Sequence, residues 1–304
     1  MAAMETGLRR FNKGGAATLA LRDIEPEVRL GVLWVIQPEE IGRLRRPRPP
    51  SAPWRCGSRL LRCRRVAFFR SLKENPEDIR FMLLVVPQRF NKNHPEVQRM
   101  GSAAETGSWL LNYMCERLGI PDLRDCAVLD FGCGPRFAEA IVNLQIPIKS
   151  YVGIDLDKDM IDFLCSDVRD PRLSFFHVDA CNPGYNPNGE PLTVDTALPI
   201  GDRRFDVICM FSVITHQLPA DAEALFKILR RYIKEDGQLF FSAALEEGDF
   251  GYAETAPEAP TACSIYSPTL LRILLQRSGW KIVSLEGKEP RGLPILDSLT
   301  CVPV

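Results

Sequence analysis

Residues 128–134 read Val-Leu-Asp-Phe-Gly-Cys-Gly: a run of buried-strand character, an acid at Asp130, and a turn containing Gly132 and Gly134. A helical apolar pattern (Phe137, Ile141, Val142) follows at once. Glycine lets a ligand come against the backbone where a side chain would block it. A second strand-like run, Tyr151-Val152-Gly153-Ile154, ends in Asp155, twenty-one residues beyond Gly134. A glycine bend followed at this distance by a carboxylate suits a nucleoside: the bend permits close approach and the acid takes the ribose hydroxyls.

Two common nucleotide signatures are excluded. The dinucleotide pattern G-x-G-x-x-G requires glycine at position 137, which is Phe137, and no phosphate-cradling G-x-x-x-x-G-K-[ST] occurs. A ligand with a ribose but no pyrophosphate is therefore expected, and S-adenosylmethionine fits. Four segments in order carry a family likeness: residues 128–134, residues 153–160 (Gly-Ile-Asp-Leu-Asp-Lys-Asp-Met), residues 176–180 (Phe-His-Val-Asp-Ala) and residues 205–216 (Phe-Asp-Val-Ile-Cys-Met-Phe-Ser-Val-Ile-Thr-His). On these segments, from about Gly101 to the C-terminus, the chain resembles the class I S-adenosylmethionine-dependent methyltransferases.

The resemblance implies a doubly wound, mostly parallel seven-stranded sheet with helices on both faces and an antiparallel last strand. It implies a cofactor site of Asp130, Gly132, Gly134, Asp155, Leu156, Asp179, Ala180 and Phe211. Within it Asp155 holds the ribose position, Asp179 faces the adenine amine, and the Ala180 amide faces N1. Arg136 stands where the family often has a third glycine, a departure that bears on how the methionine end sits.

Methyl transfer to oxygen is chiefly a matter of alignment, because the cofactor carries the reactive carbon. An alcohol must still lose its proton, and a base of near-neutral pKa helps. Of the three histidines, His216 lies just beyond the fourth strand and is the candidate base; His177 reads as a strand residue and His94 as part of a polar loop. Tyr185 and Tyr266 are candidates to line an acceptor pocket. Residues 181–195, rich in Asn, Pro and Gly, form a loop at a strand's carboxyl end; it is read as a substrate surface or as a plain turn-rich connection. Residues 246–264 read as a second long irregular connection near the same edge. Tyr185-Asn-Pro-Asn-Gly189, with Thr215-His-Gln-Leu-Pro219, resembles a bacterial branch of these enzymes associated with sugar and glycolipid assembly. Asn182-Pro-Gly-Tyr185 differs from the Asn-Pro-Pro-Tyr motif of amide-nitrogen methyltransferases and follows the third strand, not the fourth.

The expected activity is thus O-methylation of a hydroxyl on a small sugar-containing or lipid acceptor. The alternatives are a protein or RNA methyltransferase, or a degenerate cofactor-binding partner subunit. The chain has 304 residues and a net charge of −1, unevenly spread. Residues 1–75 hold 16 basic and 7 acidic residues, and the remainder 22 and 32. An acidic catalytic part argues against a nucleic-acid substrate. No C-x-x-C pair or metal-ligand spacing occurs, so no metal is expected; Cys133, Cys165 and Cys209 read as small buried apolar residues in a reducing compartment. No apolar run is long enough to span a membrane, and cytoplasm is the expected location.

The elements that must position these groups follow from periodicity. Residues 1–65 read as a disordered basic extension, because the stretch Arg43-Leu-Arg-Arg-Pro-Arg-Pro-Pro-Ser-Ala-Pro53 cannot sustain a helix or a central strand. Residues 66–304 form the expected domain, with a helical cap at 66–122 and a catalytic core at 123–304. A helix is predicted at residues 65–75 and another near 100–118, with Leu110, Met114 and Leu118 in one stripe. Strands are predicted near 126–131, 150–155, 173–178, 205–211 and 237–243, and a closing pair at 281–285 and 298–302. Helices are predicted near 136–145, 157–168, 221–234 and 267–278, the last ending at Gly279 in a left-handed cap.

Overall fold

Each core strand carries apolar residues to both faces, as burial on two sides demands. In the computed structural model, described for residues 83–92, 101–248, 250–255, 263–287 and 296–304, Val128, Tyr151, Val207 and Phe240 point to one side of the sheet. Their neighbours Leu129, Val152, Ile208 and Phe241 point to the other, the alternation a pleated strand imposes. The strands are β1 (Leu123–Phe131), β2 (Ile148–Asp155), β3 (Leu173–His177), β4 (Phe205–Met210), β5 (Ile233–Leu245), β6 (Tyr252–Glu254), β7 (Ser264–Tyr266), β8 (Trp280–Glu286) and β9 (Asp297–Pro303). Seven of them run in the order β3-β2-β1-β4-β5-β9-β8. The first five are mutually parallel, and β9 lies antiparallel to both β5 and β8. This is the doubly wound class I methyltransferase fold that the sequence implies, with an antiparallel last strand.

Helices α1 (Ala103–Leu118), α2 (Arg136–Leu144) and α3 (Lys158–Asp167) cover one face, through Leu111, Met114, Phe137, Ile141, Met160 and Leu164. Helices α4 (Pro219–Arg230) and α5 (Pro268–Arg277) cover the other, through Leu225, Phe226, Leu229, Leu271 and Leu275. Helix α1 starts on a reciprocal capping box: the Ser102 hydroxyl accepts from Glu105 N–H, and the Glu105 carboxylate accepts from Ser102 N–H, both at 3.2 Å. Helix α5 is followed by Gly279 at φ 78°, the expected left-handed stop.

Three expectations change. Helix α4 ends at Arg230, four residues early, because Tyr232 is drawn into the sheet: its carbonyl accepts from Phe205 N–H at 2.9 Å and its hydroxyl accepts from Leu198 N–H at 2.9 Å. The connection at 246–264 contains a short strand, β6, and runs into another, β7, which pairs with β6 and with β5 at Ala244 and Leu245. Cys165 is exposed, with its thiol donating to the Phe175 carbonyl at 3.5 Å, while Cys133 and Cys209 are buried as expected. Residues 1–65 and the helix expected at 65–75 lie outside the described residues, as does His94. Among the described residues no helix is long and apolar enough to cross a membrane.

The chain runs outward from β1 to β2 and β3, then returns to place β4 on the other side of β1. A ligand crevice opens at such a reversal, beyond the carboxyl ends of the strands. The return crossover, residues 178–204, contains no helix. It is held instead by Leu198 and Ile200 buried on the α4–α5 face, and by the Arg231 guanidinium donating to the carbonyls of Val194 and Thr196.

Candidate functional site

The turn after β1 is built against the end of β2. Gly132 N–H and Cys133 N–H both donate to the Ile154 carbonyl, at 2.8 and 3.0 Å. Gly134 N–H donates to Asp155 Oδ2 at 3.0 Å, and Asp157 N–H donates to Asp155 Oδ1 at 3.0 Å. Both oxygens of Asp155 are thus oriented by backbone amides, and each keeps a second lone pair for another donor. Desolvation raises the Asp155 pKa, and the two backbone hydrogen bonds oppose it. Gly132 (φ 75°) and Gly134 (φ 51°) sit in the left-handed region. A β-carbon at Gly132 would lie 2.5 Å from Val213 Cγ2, whereas one at Gly134 would meet nothing within 4 Å. The first glycine is required by the loop after β4; the second faces open space beside Asp155.

Asp130 stands one step back in the sheet, in register with Gly153 and Cys209. It is 2% exposed, and its carboxylate accepts from the Tyr151 hydroxyl at 2.7 Å. Burial pushes its pKa up to about 7, against the hydrogen bonds from Tyr151 and Cys209. The structure therefore places Asp130 inside the sheet beneath the turn, not in the crevice. Leu156 follows Asp155 and packs on the α4–α5 face. Phe211 lies at the end of β4 between Phe137 and Phe240, with ring centroids at 5.1 and 5.3 Å.

Beyond β3, Ala180 is buried and bridges to Glu190, and Asp179 Oδ1 accepts from Asn186 Nδ2 at 2.8 Å. Residues 182–186 close into a tight turn through paired bonds between the backbones of Asn182 and Asn186, at 2.8 and 2.9 Å. This turn brings Tyr185 to the ring of His216, centroid to centroid 5.3 Å and edge to face. Asp155 and desolvation both raise the Tyr185 pKa. His216 closes a 3₁₀ turn, Ile214–His216, and is 9% exposed. Tyr266, by contrast, is fully buried; its hydroxyl donates to the Gln217 carbonyl at 2.7 Å, so it buttresses this loop from within the core.

A family model described as a methyltransferase domain matches residues 86–285. The chain belongs to this family. It carries a methyltransferase domain with the doubly wound class I topology. The ribosomal protein L11 methyltransferase of Pseudomonas fluorescens is 36% identical over 100 residues, 31% of this chain and 34% of that protein. The one from Haemophilus influenzae is 28% identical over 182 residues, 59% of this chain and 51% of that protein. The chain thus spans between a third and a half of the curated relatives it matches. Among solved structures, the glycopeptide N-methyltransferase MtfA with S-adenosylmethionine has a TM-score of 0.47 at 14% identity, covering 65% of this chain and 94% of that one. The magnesium protoporphyrin IX methyltransferase ChlM of Synechocystis PCC 6803 has a TM-score of 0.42 at 15% identity, covering 66% and 79%.

The residues present suit the cofactor of this methyltransferase. The open space in front of Gly134 admits a ligand against the backbone, and the preset carboxylate of Asp155 matches a pair of hydroxyls. Arg136, in the usual glycine position, opens α2 and packs on α1: a β-carbon at Gly107 would lie 2.6 Å from its carbonyl oxygen and 2.9 Å from its Cγ. Burial lowers its pKa to about 10, which leaves it charged at neutral pH.

Lys92, at the rim, carries no sequence signal, and Asn182 appears in the sequence only within a motif that does not match. Lys92 donates to Asp157 Oδ2 at 2.7 Å and lies 5.6 Å from the Tyr185 ring centroid. Its segment is tied down by reciprocal bonds between the Leu84 backbone and the Asn143 side chain, at 2.8 and 2.9 Å, and by Phe90 against Phe163 at 5.4 Å. Asn182 links the loop after β3 to the turn that carries His216. A lysine before the first core helix and an asparagine in a turn-rich loop carry no signal until folding brings them beside Asp157 and His216.

Proposed function

We propose that this methyltransferase O-methylates a hydroxyl of a small sugar-containing or lipid acceptor, with His216 as the base. The observation that carries the reading is the ring contact between His216, in the turn after β4, and Tyr185, in the loop after β3, the latter within electrostatic reach of Asp155. In this reading Asp155 takes the ribose hydroxyls, Gly132 and Gly134 let the cofactor lie against the turn, and Leu156, Asp179, Ala180 and Phe211 flank it. Asp130 stiffens the turn from below. S-adenosylmethionine, when bound, supplies an electrophilic methyl carbon. The protein's part is to hold the acceptor in line under Tyr185 and to take on His216 the proton that the hydroxyl loses as it is methylated. The low exposure of His216 keeps water from competing and makes Tyr185 part of the acceptor's route.

Methylation of a protein is the second reading, favoured by the names of the L11 methyltransferase relatives. The test is transfer of an isotopically labelled methyl group into fractionated small-molecule and protein extracts. Label in the small-molecule fraction supports the proposal, and label confined to protein overturns it. With an acceptor in hand, His216→Ala is expected to lower kcat by about 10²-fold or more while calorimetry finds the cofactor Kd little changed. Asp155→Ala is expected to weaken cofactor binding instead.

A further inference from the structure

The Asn-Pro-Gly-Tyr sequence at 182–185 lies after the wrong strand to be an acceptor-binding motif of the amide-methylating type, and its asparagine is not available to an acceptor. Asn182 is 3% exposed. Its Oδ1 accepts from Gly184 N–H at 3.0 Å and from Tyr185 N–H at 3.2 Å, which uses both lone pairs. Its Nδ2 donates to the His216 carbonyl at 2.8 Å. One buried side chain therefore grips the backbone of Tyr185 with its oxygen and that of His216 with its nitrogen, across thirty-four residues of sequence.

The rest of each loop is fixed elsewhere. Ser212 N–H donates to Ser242 Oγ at 2.8 Å, the Thr215 hydroxyl donates to the Ser212 carbonyl at 2.7 Å, and the Tyr266 hydroxyl holds Gln217 from the other side. The turn carrying Tyr185 is tied to Asp179 through Asn186. Asn182 is the side chain that joins these two pinned loops to each other. We propose that Asn182 is a positioning residue for methyl transfer, setting Tyr185 against His216 so that acceptor and base meet in one geometry. The catalytic consequence rests on His216 being the base; the tether itself does not.

The test uses the full chain with carbon-labelled histidine, whose three ring signals are assigned through single His variants. Asn182→Asp keeps the oxygen that caps Gly184 and Tyr185 but loses the donor to His216; Asn182→Ala loses both. Both variants are expected to displace the His216 ring signal and its titration midpoint, toward the values found in Tyr185→Leu, where the ring contact is gone. The His177 signal should stay in place, and the cofactor Kd should stay within about threefold. Once an acceptor is known, kcat should fall by about 10- to 100-fold, the scale of a misplaced reacting group, with KM for the cofactor unchanged. If Asn182→Ala fails to fold, Asn182→Asp provides the same readouts. A His216 signal and midpoint that match wild type in the folded variants would overturn the tether, as would loss of cofactor affinity as large as that of Asp155→Ala. Full turnover in His216→Ala would instead remove the base assignment and leave the tether standing, so the two failures are distinct.

Discussion

Asp130 and Asp155 end neighbouring strands, yet the fold gives them different surroundings. Asp155 is oriented by two backbone amides at the mouth, while Asp130 is enclosed with Tyr151 and Cys209. The Asp130 value of about 7 exceeds the roughly 3.9 of an unfolded aspartate. Between those two values the folded chain holds a proton that the unfolded chain has released. The stability from the protonated carboxyl is therefore complete below about pH 4 and is lost as pH rises through about 7. Asp130→Asn, which still accepts from Tyr151, should remove that slope. Thermal melts from pH 4.5 to 8 should show wild type losing Tm with rising pH relative to the variant; parallel curves would mean that Asp130 titrates normally.

At the scale of elements, the segment of residues 83–92 fastens to α2 through Asn143, to α3 through Phe163, and to the α3 N-terminus through Lys92 and Asp157. The Lys92 side chain is 54% exposed, so its ion pair is of the weak, screened kind. Lys92→Ala should cost about 0.5 kcal/mol in urea unfolding, and less in high salt. A loss above about 2 kcal/mol that ignores salt would show a much tighter pair than this geometry implies.

The same scale shows what could be read in advance. Continuous apolar runs bounded by turn residues place β1 to β5 correctly, because strands buried on both faces read as unbroken hydrophobic stretches. The end of α4 was misjudged because Leu225, Phe226, Leu229 and Tyr232 keep a helical spacing into the strand that follows. Strands β6 and β7 are three residues each, too short to show a period. Tyr266 reads from the sequence as a pocket-lining candidate; pairing with β6 and the bond to Gln217 place it in the core instead. Lys92 and the role of Asn182 emerge only through contacts between distant segments.

For the whole molecule, the family match begins at residue 86, beyond the basic proline-rich stretch. We propose residues 66–304 as the working unit. Deletion of residues 1–65 should leave a folded protein that binds S-adenosylmethionine within about threefold of the full chain by calorimetry; an insoluble or non-binding fragment would make the extension part of the fold. The sheet and the loop at its edge also differ in what a change of length costs. The return from β3 to β4 is a stitched loop, not a helix, and lengthening a loop costs only about 0.6 kcal/mol per doubling. Insertions and deletions there can reshape the loop that carries Tyr185 while the register of β1, β2 and β4 keeps Asp155 and the glycine turn in place. Descendants of such a chain can change what they methylate long before they change how they hold the methyl donor.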